Sequence, residues 1–146
     1  MALVAIELLR ECTVAVSTDT FALVSISEGD WPKVISDPDR SPRMTAPFMI
    51  FKDAHEITLM LDEIDLANMR PALGSARIET GFRMLTFETE MDFNVVGFLA
   101  KVAAILADAN ISIIPVSSFS RDHLLVKQGD LARALKALGP HVGDLC

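Results

Sequence analysis

Residues 84–127 decide the fold of this chain, and they read MLTFETEMDFNVVGFLAKVAAILADANISIIPVSSFSRDHLLVK. The segment opens with a short apolar strand at residues 84–88, which a polar turn at residues 90–94 follows. In residues 95–109, apolar side chains recur at the spacing of one helical face. Asn110 is typical of a residue that ends a helix in the left-handed conformation. The pattern therefore predicts strand, turn and helix.

The residues after this helix predict two strands and a second helix. Residues 111–116 are rich in β-branched side chains between turn formers, which favours a strand. Pro115 has no amide to donate to a sheet, so this strand lies at an edge or is irregular there. A polar turn leads to a strand at residues 123–127. The next helix begins at Gly129-Asp130 and ends at Gly139-Pro140.

Strand, helix, strand, strand, helix is the order of a ferredoxin-like half-sandwich that lacks its last strand. The predicted class is α+β, with an antiparallel sheet and helices on one face. An unpaired sheet edge invites wrong pairing, so another segment must supply the missing strand. The weakly strand-like tail, residues 141–146, is one candidate. Residues 3–9 are another, because their short apolar run fits either a strand or a helical turn.

The first half of the chain predicts a rougher copy of the same architecture. We therefore divide the chain into two ferredoxin-like modules, residues 1–78 and residues 79–146, with a turn at Thr80-Gly81 leading into the second. The elements expected before this turn are strands at 13–16, 48–51 and 57–61, a helical turn at 31–35, a loop at 37–47, a helix at 63–69 that Asp62 caps and that ends before Pro71, and an extended segment at 76–79.

The composition narrows the classes of function. A hydrophobic fraction of 51% and a mean hydropathy of +0.37 predict a large buried core or an oligomer interface, and we expect a homodimer. A net charge of −7 argues against nucleic-acid binding, which needs basic patches that displace counterions. No apolar run approaches the roughly 20 residues of a membrane span, and no export signal stands at the start, so we expect no membrane partner and a cytoplasmic location.

Cysteine and histidine usage gives no catalytic or metal-binding pattern. Cys12 and Cys146 have no metal-ligand or redox spacing, which predicts one buried thiol and one loose terminal thiol. His55, His123 and His141 lie in unrelated contexts. Phosphate-binding and nicotinamide-binding glycine motifs are absent from the sequence. We therefore expect no enzyme activity, no cofactor and no metal.

The turn before the predicted helix has the chemistry of a site for a small zwitterion. The first amides of a helix have no partner inside the helix and attract carboxylates, by about 0.3–1 kcal/mol when exposed. Gly97 has no side chain, so a ligand or a second backbone can approach closely. Asp92 carries the charge that an ammonium group needs. The structural alternatives are Asp92 or Asn94 as a plain N-cap, and Gly97 as a residue that lets the helix pack closely on the sheet.

Three motifs in this region resemble the ACT domain. They are Asp92-Phe93-Asn94-x-x-Gly97, then Asn110-Ile111-Ser112-Ile113, then residues 116–126, which read VSSFSRDHLLV. More narrowly, the chain resembles the branch of small bacterial tandem-ACT proteins related to the CASTOR arginine sensor (ACT_7). The resemblance is good over residues 77–138, fair over residues 48–61 and poor before Phe48.

The resemblance implies a pocket between two modules that binds an amino acid. Its second wall would consist of polar and aromatic residues in one hairpin turn, namely Ser117, Ser118, Phe119, Ser120 and Asp122. Phe119 would pack against the aliphatic part of the ligand, and Asp122 would accept a hydrogen bond from an amino or guanidino group. Without the resemblance, the serines are turn residues, Phe119 is a core residue and Asp122 is a hairpin acid.

Two departures from the family pattern concern the ligand. The Thr-Asp-Tyr of the family is Arg121-Asp122-His123 here, and Ser118 replaces a threonine. Arg121 is expected to neutralise Asp122, which weakens a preference for a cationic ligand. We therefore do not assign arginine as the ligand, and a smaller or an acidic ligand is an alternative.

The sequence as a whole predicts a regulatory protein of tandem-ACT type that binds an amino acid or a similar zwitterion at the module interface and acts through a protein partner that the sequence does not name. The alternative is a ligand-free structural module that acts through protein–protein contacts. The predicted ligand-binding residues are Asp92, Phe93, Asn94, Val95, Gly97, Ser117, Ser118, Phe119 and Asp122.

Overall fold

The structure is a computed structural model in which residues 2–146 are described, with side chains from Val4 onward. Its elements in chain order are α1 (Ala2–Glu11), β1 (Thr13–Val16), β2 (Phe21–Ile26), α2 (Trp31–Ile35), β3 (Met49–Lys52), β4 (Ile57–Asp62), α3 (Glu63–Leu73), β5 (Arg77–Phe87), α4 (Phe98–Asp108), β6 (Ile114–Ser117), β7 (Asp122–Lys127), α5 (Leu131–Leu138) and β8 (Asp144–Leu145). Within the described residues, no helix combines the length and the apolar character that crossing a membrane requires.

The described residues form two compact units. Unit 1 consists of residues 2–18 together with Phe82–Cys146, and unit 2 consists of Asp19–Gly81. This grouping differs from modules at residues 1–78 and 79–146, because the N-terminal residues group with the C-terminal half. Each unit is described by itself below.

The sheet of unit 1 has the strand order β8-β1-β5-β7-β6. β1 runs antiparallel to β5, with Val14 opposite Phe87, so β1 supplies the strand that residues 84–138 lack. The two segments suggested for this role do not fill it. Residues 3–9 belong to α1, and the tail forms only the short strand β8, which pairs in parallel with β1.

The N-terminal segment is helical because its buried residues are four apart. Ala5 and Leu9 are each 2% exposed, whereas Val4 is 49% exposed. A strand that buried residues 5 and 9 would also bury residue 7, whereas Glu7 is exposed, so the spacing is that of one helical face. The apolar run was too short for its period to be recognised from the sequence.

The core of unit 1 is built from one face of α4 together with α1, β1, β5, β7 and α5. Phe87 and Phe98 meet there edge to face, with ring centroids 5.6 Å apart. Asn110 has a positive φ of 58°, as predicted for a residue that terminates a helix. Pro115 lies in β6, which pairs only with β7 in the described sheet, so the edge position is confirmed. The fully buried side chains of this core include Cys12, Val14, Leu85, Phe87, Val102, Leu106, Leu124 and Leu138.

Unit 2 is a contiguous βαββαβ arrangement made of β2, α2, β3, β4, α3 and the start of β5. Its strand order is β3-β4-β2, with β5 next to β2. The predicted hairpin is confirmed, with Met49 opposite Met60 and Lys52 opposite Ile57. No helix or strand forms in the predicted loop at residues 37–47. The core residues are Ala22, Val24, Ile26, Val34, Ile57, Leu59, Leu61, Leu66, Met69 and Leu73.

Two predicted boundaries in unit 2 were wrong. α3 runs through Pro71 to Leu73, although the helix was expected to end before the proline. Pro71 and Ala67, whose carbonyl loses its helical partner, are both exposed, so water can solvate that carbonyl. The turn expected at Thr80-Gly81 is absent, since β5 is continuous and Gly81 adopts a φ of 85° within it.

A buried charge cluster fixes the start of α3. Asp62 caps the helix as predicted, because its carboxylate accepts a hydrogen bond of 2.7 Å from the amide of Asp65. Both aspartates are almost fully buried, at 1% and 0% exposure. Arg43 reaches from the long loop, donates from Nε to Asp65 at 2.8 Å and also binds Asp62 through Nη2. The guanidinium compensates the two carboxylates and ties the loop to the helix.

Candidate functional site

Unit 1 contains an open groove of about 310 Å³ between the linker that precedes α4 and the turn between β6 and β7. Both of its walls lie within unit 1. The lining residues are Met91, Asp92, Phe93, Val95, Gly97, Phe98, Leu99, Ala100, Ser117, Ser118, Phe119, Ser120, Arg121 and Asp122. The groove therefore brings together eight of the nine predicted site residues. Asn94 is exposed and does not line it.

The first wall is the start of α4, which no side chain of the described residues caps. The helix was predicted from residue 95, but it begins at Phe98, with Gly97 in the N-cap position. The first bond to an upstream carbonyl runs from Lys101 N to Gly97 O at 2.9 Å. The amides of residues 98–100 precede that bond and lack intrahelical partners, as the first amides of a helix always do.

The alternatives proposed for Asp92, Asn94 and Gly97 are not what the structure contains. Asp92 does not cap the helix; its Oδ1 accepts from Asn94 N at 2.8 Å and closes a local turn. Gly97 is not required for close packing, because an added Cβ would meet no atom within 4 Å. Its φ of 90° is the reason for glycine, since side chains rarely tolerate that conformation.

The second wall is a hairpin turn whose serines are engaged locally. Ser117 Oγ donates to Asp122 Oδ1 at 2.8 Å, and Ser118 Oγ donates to Arg121 O at 3.1 Å. The two walls are joined by a backbone hydrogen bond of 2.9 Å from Met91 N to Ser120 O. The groove is thus held at its base by main-chain atoms.

Two phenylalanines meet at the groove and are mostly exposed. Phe93 from the linker and Phe119 from the hairpin turn are 78% and 80% exposed. Their rings pack edge to face, with centroids 5.0 Å apart. The alternative that Phe119 is a core residue is therefore wrong. Large exposed aromatic groups that line a groove are typical of a surface that binds something.

The charges of the groove are predominantly negative. Asp92 and Asp122 both line it, and Arg121 is the one basic residue among the lining side chains. Arg121 Nε lies 3.4 Å from Glu88 Oε2, an ion pair without hydrogen-bond geometry. The expectation that Arg121 neutralises Asp122 is replaced by this pairing with Glu88. In the described residues, no group of three histidine, cysteine or acidic side chains is placed to hold a metal ion.

His123 supports the second wall, although the sequence did not indicate it as a site residue. Its Nδ1 lies 2.9 Å from Thr86 Oγ1, and its Nε2 lies 3.2 Å from Ser118 Oγ. The Ser118 hydroxyl already donates to a carbonyl, so we assign the ring proton to Nε2 and let Nδ1 accept from Thr86. Burial lowers the pKa of His123, which favours this neutral form. The sequence carried no signal for this role, because the two partners of His123 come from another strand and from a turn.

A sequence model of the ACT domain family (ACT_7) matches residues 77–139. Those residues contain β5, the groove and both helices that follow it, and they are an ACT domain. The resemblance found in the motifs is thereby confirmed, and so is the α+β, ferredoxin-like fold class. None of the curated proteins compared with the chain matches it.

Solved structures with the same fold extend over nearly the whole chain. A structural-genomics protein from Agrobacterium tumefaciens is 19% identical with a TM-score of 0.72, and the match covers 93% of this chain and 92% of that one. A protein of unknown function from Vibrio cholerae, described as a possible transport protein, is 20% identical with a TM-score of 0.64, at coverages of 94% and 95%. The ligand-free regulatory subunit of aspartate kinase from Thermus thermophilus is 14% identical with a TM-score of 0.65, at coverages of 91% and 98%.

Proposed function

We propose that this protein is a regulatory, non-catalytic ligand sensor that binds an amino acid or a similar small zwitterion in the groove of unit 1. The observation that carries the proposal is the shared groove of an uncapped helix start and two carboxylates. The regulatory subunits of aspartate kinase among its structural neighbours support a regulatory rather than a catalytic role.

The two ends of the groove match the two charges of an α-amino acid. The amides of residues 98–100 offer hydrogen bonds and a positive helix end to a carboxylate, worth about 0.3–1 kcal/mol when exposed and up to about 2 when partly buried. Asp92 and Asp122 keep acceptor capacity beyond their single recorded bonds, since a carboxylate has about four lone-pair sites. An ammonium group can use that capacity. Phe93 and Phe119 then offer apolar contact to the ligand side chain.

The charge balance of the groove selects against acidic ligands. Arg121, the one basic residue that lines the groove, pairs with Glu88, so the two carboxylates of the groove, Asp92 and Asp122, are not balanced by an equal positive charge. A ligand with an acidic side chain would meet like charge, whereas a neutral or basic one would not. We therefore propose neutral or basic amino acids as the ligands to test first.

The same proposal includes a homodimer, a cytoplasmic location and a protein partner that receives the signal. The hydrophobic fraction of 51% supports an apolar interface between copies. Cys12 and Cys146 are free thiols, which suits a reducing compartment. Binding shifts a regulatory equilibrium only by the difference in ligand affinity between two states, so the output requires a partner that distinguishes them.

A thermal-unfolding screen against the twenty amino acids tests the ligand. Ligand that binds only the native protein raises the midpoint by mass action, by about 2.7 kcal/mol of stability at one hundred times Kd. We expect Asp122→Asn to remove the shift. Asp108→Asn is the matched control, because Asp108 is an exposed acid of unit 1 outside the groove. No shift with any amino acid at millimolar concentration contradicts the proposal and favours the ligand-free interaction module.

A further inference from the structure

His123 links the second wall of the groove to the sheet of unit 1 through a chain of hydrogen bonds. It lies on β7, opposite Thr86 of β5 and opposite Val116 of β6. Its ring nitrogens are 2.9 Å from Thr86 Oγ1 and 3.2 Å from Ser118 Oγ. Ser118 in turn donates to Arg121 O from its hydroxyl, at 3.1 Å, and from its amide, at 3.0 Å. One imidazole therefore connects β5 to the turn that lines the groove.

The donors and acceptors of this chain are in a consistent order only when the ring is neutral. The hydroxyl proton of Ser118 goes to Arg121 O, so Ser118 Oγ accepts from the Nε2–H of the ring. Nδ1 is then free to accept from Thr86 Oγ1. A second ring proton places an N–H group against Thr86 Oγ1, and the Thr86 hydroxyl can no longer donate to the ring. Protonation of His123 therefore breaks the order of the chain where it meets the sheet.

The charged groups that act on the ring come from β7, the end of β5 and the turn. Asp122 precedes the histidine, Glu88 directly follows β5, and Arg121 lies in the turn, whereas β6 presents the apolar Val116 opposite the ring. Burial lowers the pKa of His123, the two carboxylates oppose that effect, and Arg121 adds to it, so the pKa is below 6.5. The ring is therefore neutral near neutral pH and gains its charge in mild acid.

We propose that protonation of His123 weakens amino-acid binding in the groove, so that the site releases its ligand as pH falls. This inference concerns the regulation of the site in the proposed function and rests on that function. A positive charge next to Asp122 competes with the ammonium group of the ligand for the same carboxylate. The broken chain also removes the support of Ser118. His123 is not among the lining residues, so it acts as a positioning residue.

Thermodynamic linkage requires two independent measurements to agree. If the ligand prefers the neutral ring, the protein with bound ligand must hold the ring proton less tightly by the same factor. A tenfold rise in Kd between neutral and protonated His123 corresponds to a fall of about one pH unit in the pKa of His123 on binding. We expect a rise of about threefold to tenfold, because solvent screens the charge at an open groove.

The probes are the standard amino acids other than histidine, whose own ring titrates in the same range. Each one that raises the unfolding midpoint near neutral pH is titrated calorimetrically from about pH 7.5 to about pH 5, which spans the range in which a histidine changes charge. Its Kd should rise as pH falls. The ring signals of His123, followed by NMR with and without the same amino acid, should give the matching fall in pKa.

Two variants separate the charge of the ring from its hydrogen bonds. His123→Gln does not titrate and keeps a donor at the position of Nε2, so it should bind near neutral pH with a Kd that no longer depends on this pH range. His123→Asn keeps polar atoms beside Thr86 but is too short to reach Ser118, so it should bind more weakly throughout. His141→Gln is the matched control, because His141 is an exposed histidine of unit 1 outside the groove, and it should keep the wild-type pH dependence.

The possible results distinguish this inference from the proposed function. Binding near neutral pH with a Kd that does not rise in acid overturns the inference and leaves the proposed function in place. The same holds for a His123 pKa that is equal with and without ligand, which needs no variant, and for a pH dependence that persists in His123→Gln. No binding of any amino acid near neutral pH overturns the proposed function and this regulation with it.

Discussion

In unit 2, four residues at 27–30 join β2 to α2, whereas in unit 1 ten residues at 88–97 join β5 to α4. Both junctions lead from the first strand to the first helix of a ferredoxin-like arrangement. α2 has five residues and Pro32 in its first turn, so one of its starting amides is missing. α4 has eleven residues and keeps all of its first amides. Only the junction in unit 1 offers a full helix end to an anion.

The hairpin turns that face these junctions differ in the same sense. In unit 2, Asp53 Oδ1 accepts from the amides of His55 and Glu56 at 2.7 and 2.9 Å. Lys52 reaches across to Glu28 at 2.8 Å. The polar groups there are satisfied by their own neighbours. In unit 1, one backbone bond, from Met91 to Ser120, ties the junction to the hairpin. The Arg121–Glu88 ion pair and the edge-to-face contact of two exposed phenylalanines add to it, and the groove beside them stays open. The junction of unit 2 also lines an open groove, of about 330 Å³, so the two units differ in how their polar groups are bonded rather than in open space.

The largest expected difference between the two units is in the unfolding free energy lost when the acidic residue that precedes the long helix is removed. Asp62→Ala removes the helix cap and one of the two carboxylates that bind Arg43, which keeps Asp65 as its partner, so we expect a loss of about 2–4 kcal/mol in unfolding free energy. Asp92→Ala removes one exposed turn bond and should cost less than about 0.5 kcal/mol. Urea unfolding of both variants measures the difference. Equal losses would mean that Asp92 also stabilises its helix.

The two glycines of the junctions should differ by a smaller amount. Gly97→Ala forces a side chain into a φ of 90° and should cost about 1–2 kcal/mol. Gly29→Ala is the matched control, because Gly29 has no positive φ and an added Cβ meets no atom within 4 Å. Its effect should stay within about 0.5 kcal/mol. A neutral Gly97→Ala, measured by the same unfolding assay, would show that the linker relaxes into another conformation.

The contributions of the two hairpins to stability should be lost in different pH ranges. Burial lowers the pKa of His123 below its ordinary value of 6.5, so between the two values the unfolded chain binds more protons and stability falls as pH falls below 6.5. Hydrogen bonds from the amides of His55 and Glu56 lower the pKa of Asp53 below 3.8, so its contribution is lost only as pH falls below 3.8.

Unfolding free energy measured against pH separates these two ranges. His123→Gln should flatten the dependence just below pH 6.5 and leave the lower range intact, whereas Asp53→Asn should do the reverse. A slope just below pH 6.5 that is unchanged in His123→Gln would remove His123 as its origin.

A small effect is also expected at the ion pair that bridges the junction of unit 2. Lys52 and Glu28 are 56% and 59% exposed, so Glu28→Gln should change stability by less than about 1 kcal/mol. Thermal unfolding of this variant checks the expected change.

The sequence allowed the local elements to be predicted, because their patterns are local. Helix α4, strand β7 and the hairpin of unit 2 follow from periodicity and turn residues. The fourth strand of unit 1 could not be predicted in this way. Val14 pairs with Phe87, and nothing in the sequence of either segment indicates that these distant segments pair. Residues 2–11 failed for a different reason. The apolar run at residues 3–9 spans only about two helical turns, which is too short to distinguish a helix from a strand.

Three predictions about the groove failed for a similar reason, because they depended on contacts that the local sequence does not show. The apolar stripe of α4 continues back to Val95, which packs against the core without being helical, so periodicity placed the helix start three residues early. The partner of Arg121 was misjudged because adjacency in sequence suggested Asp122, whereas the fold brings Glu88 beside the guanidinium. His123 was missed because its two partners come from another strand and from a turn.

The pairing of β1 with β5 also has a consequence for the order in which the chain matures. Val14 leaves the ribosome 73 residues before Phe87, its partner (87 minus 14), while Asp19–Gly81 is contiguous and can collapse in between. We therefore expect unit 2 to fold first during synthesis, while α1 and β1 remain unpaired. Slow closure of this long loop, rather than any local step, should set the pace at which unit 1 becomes native.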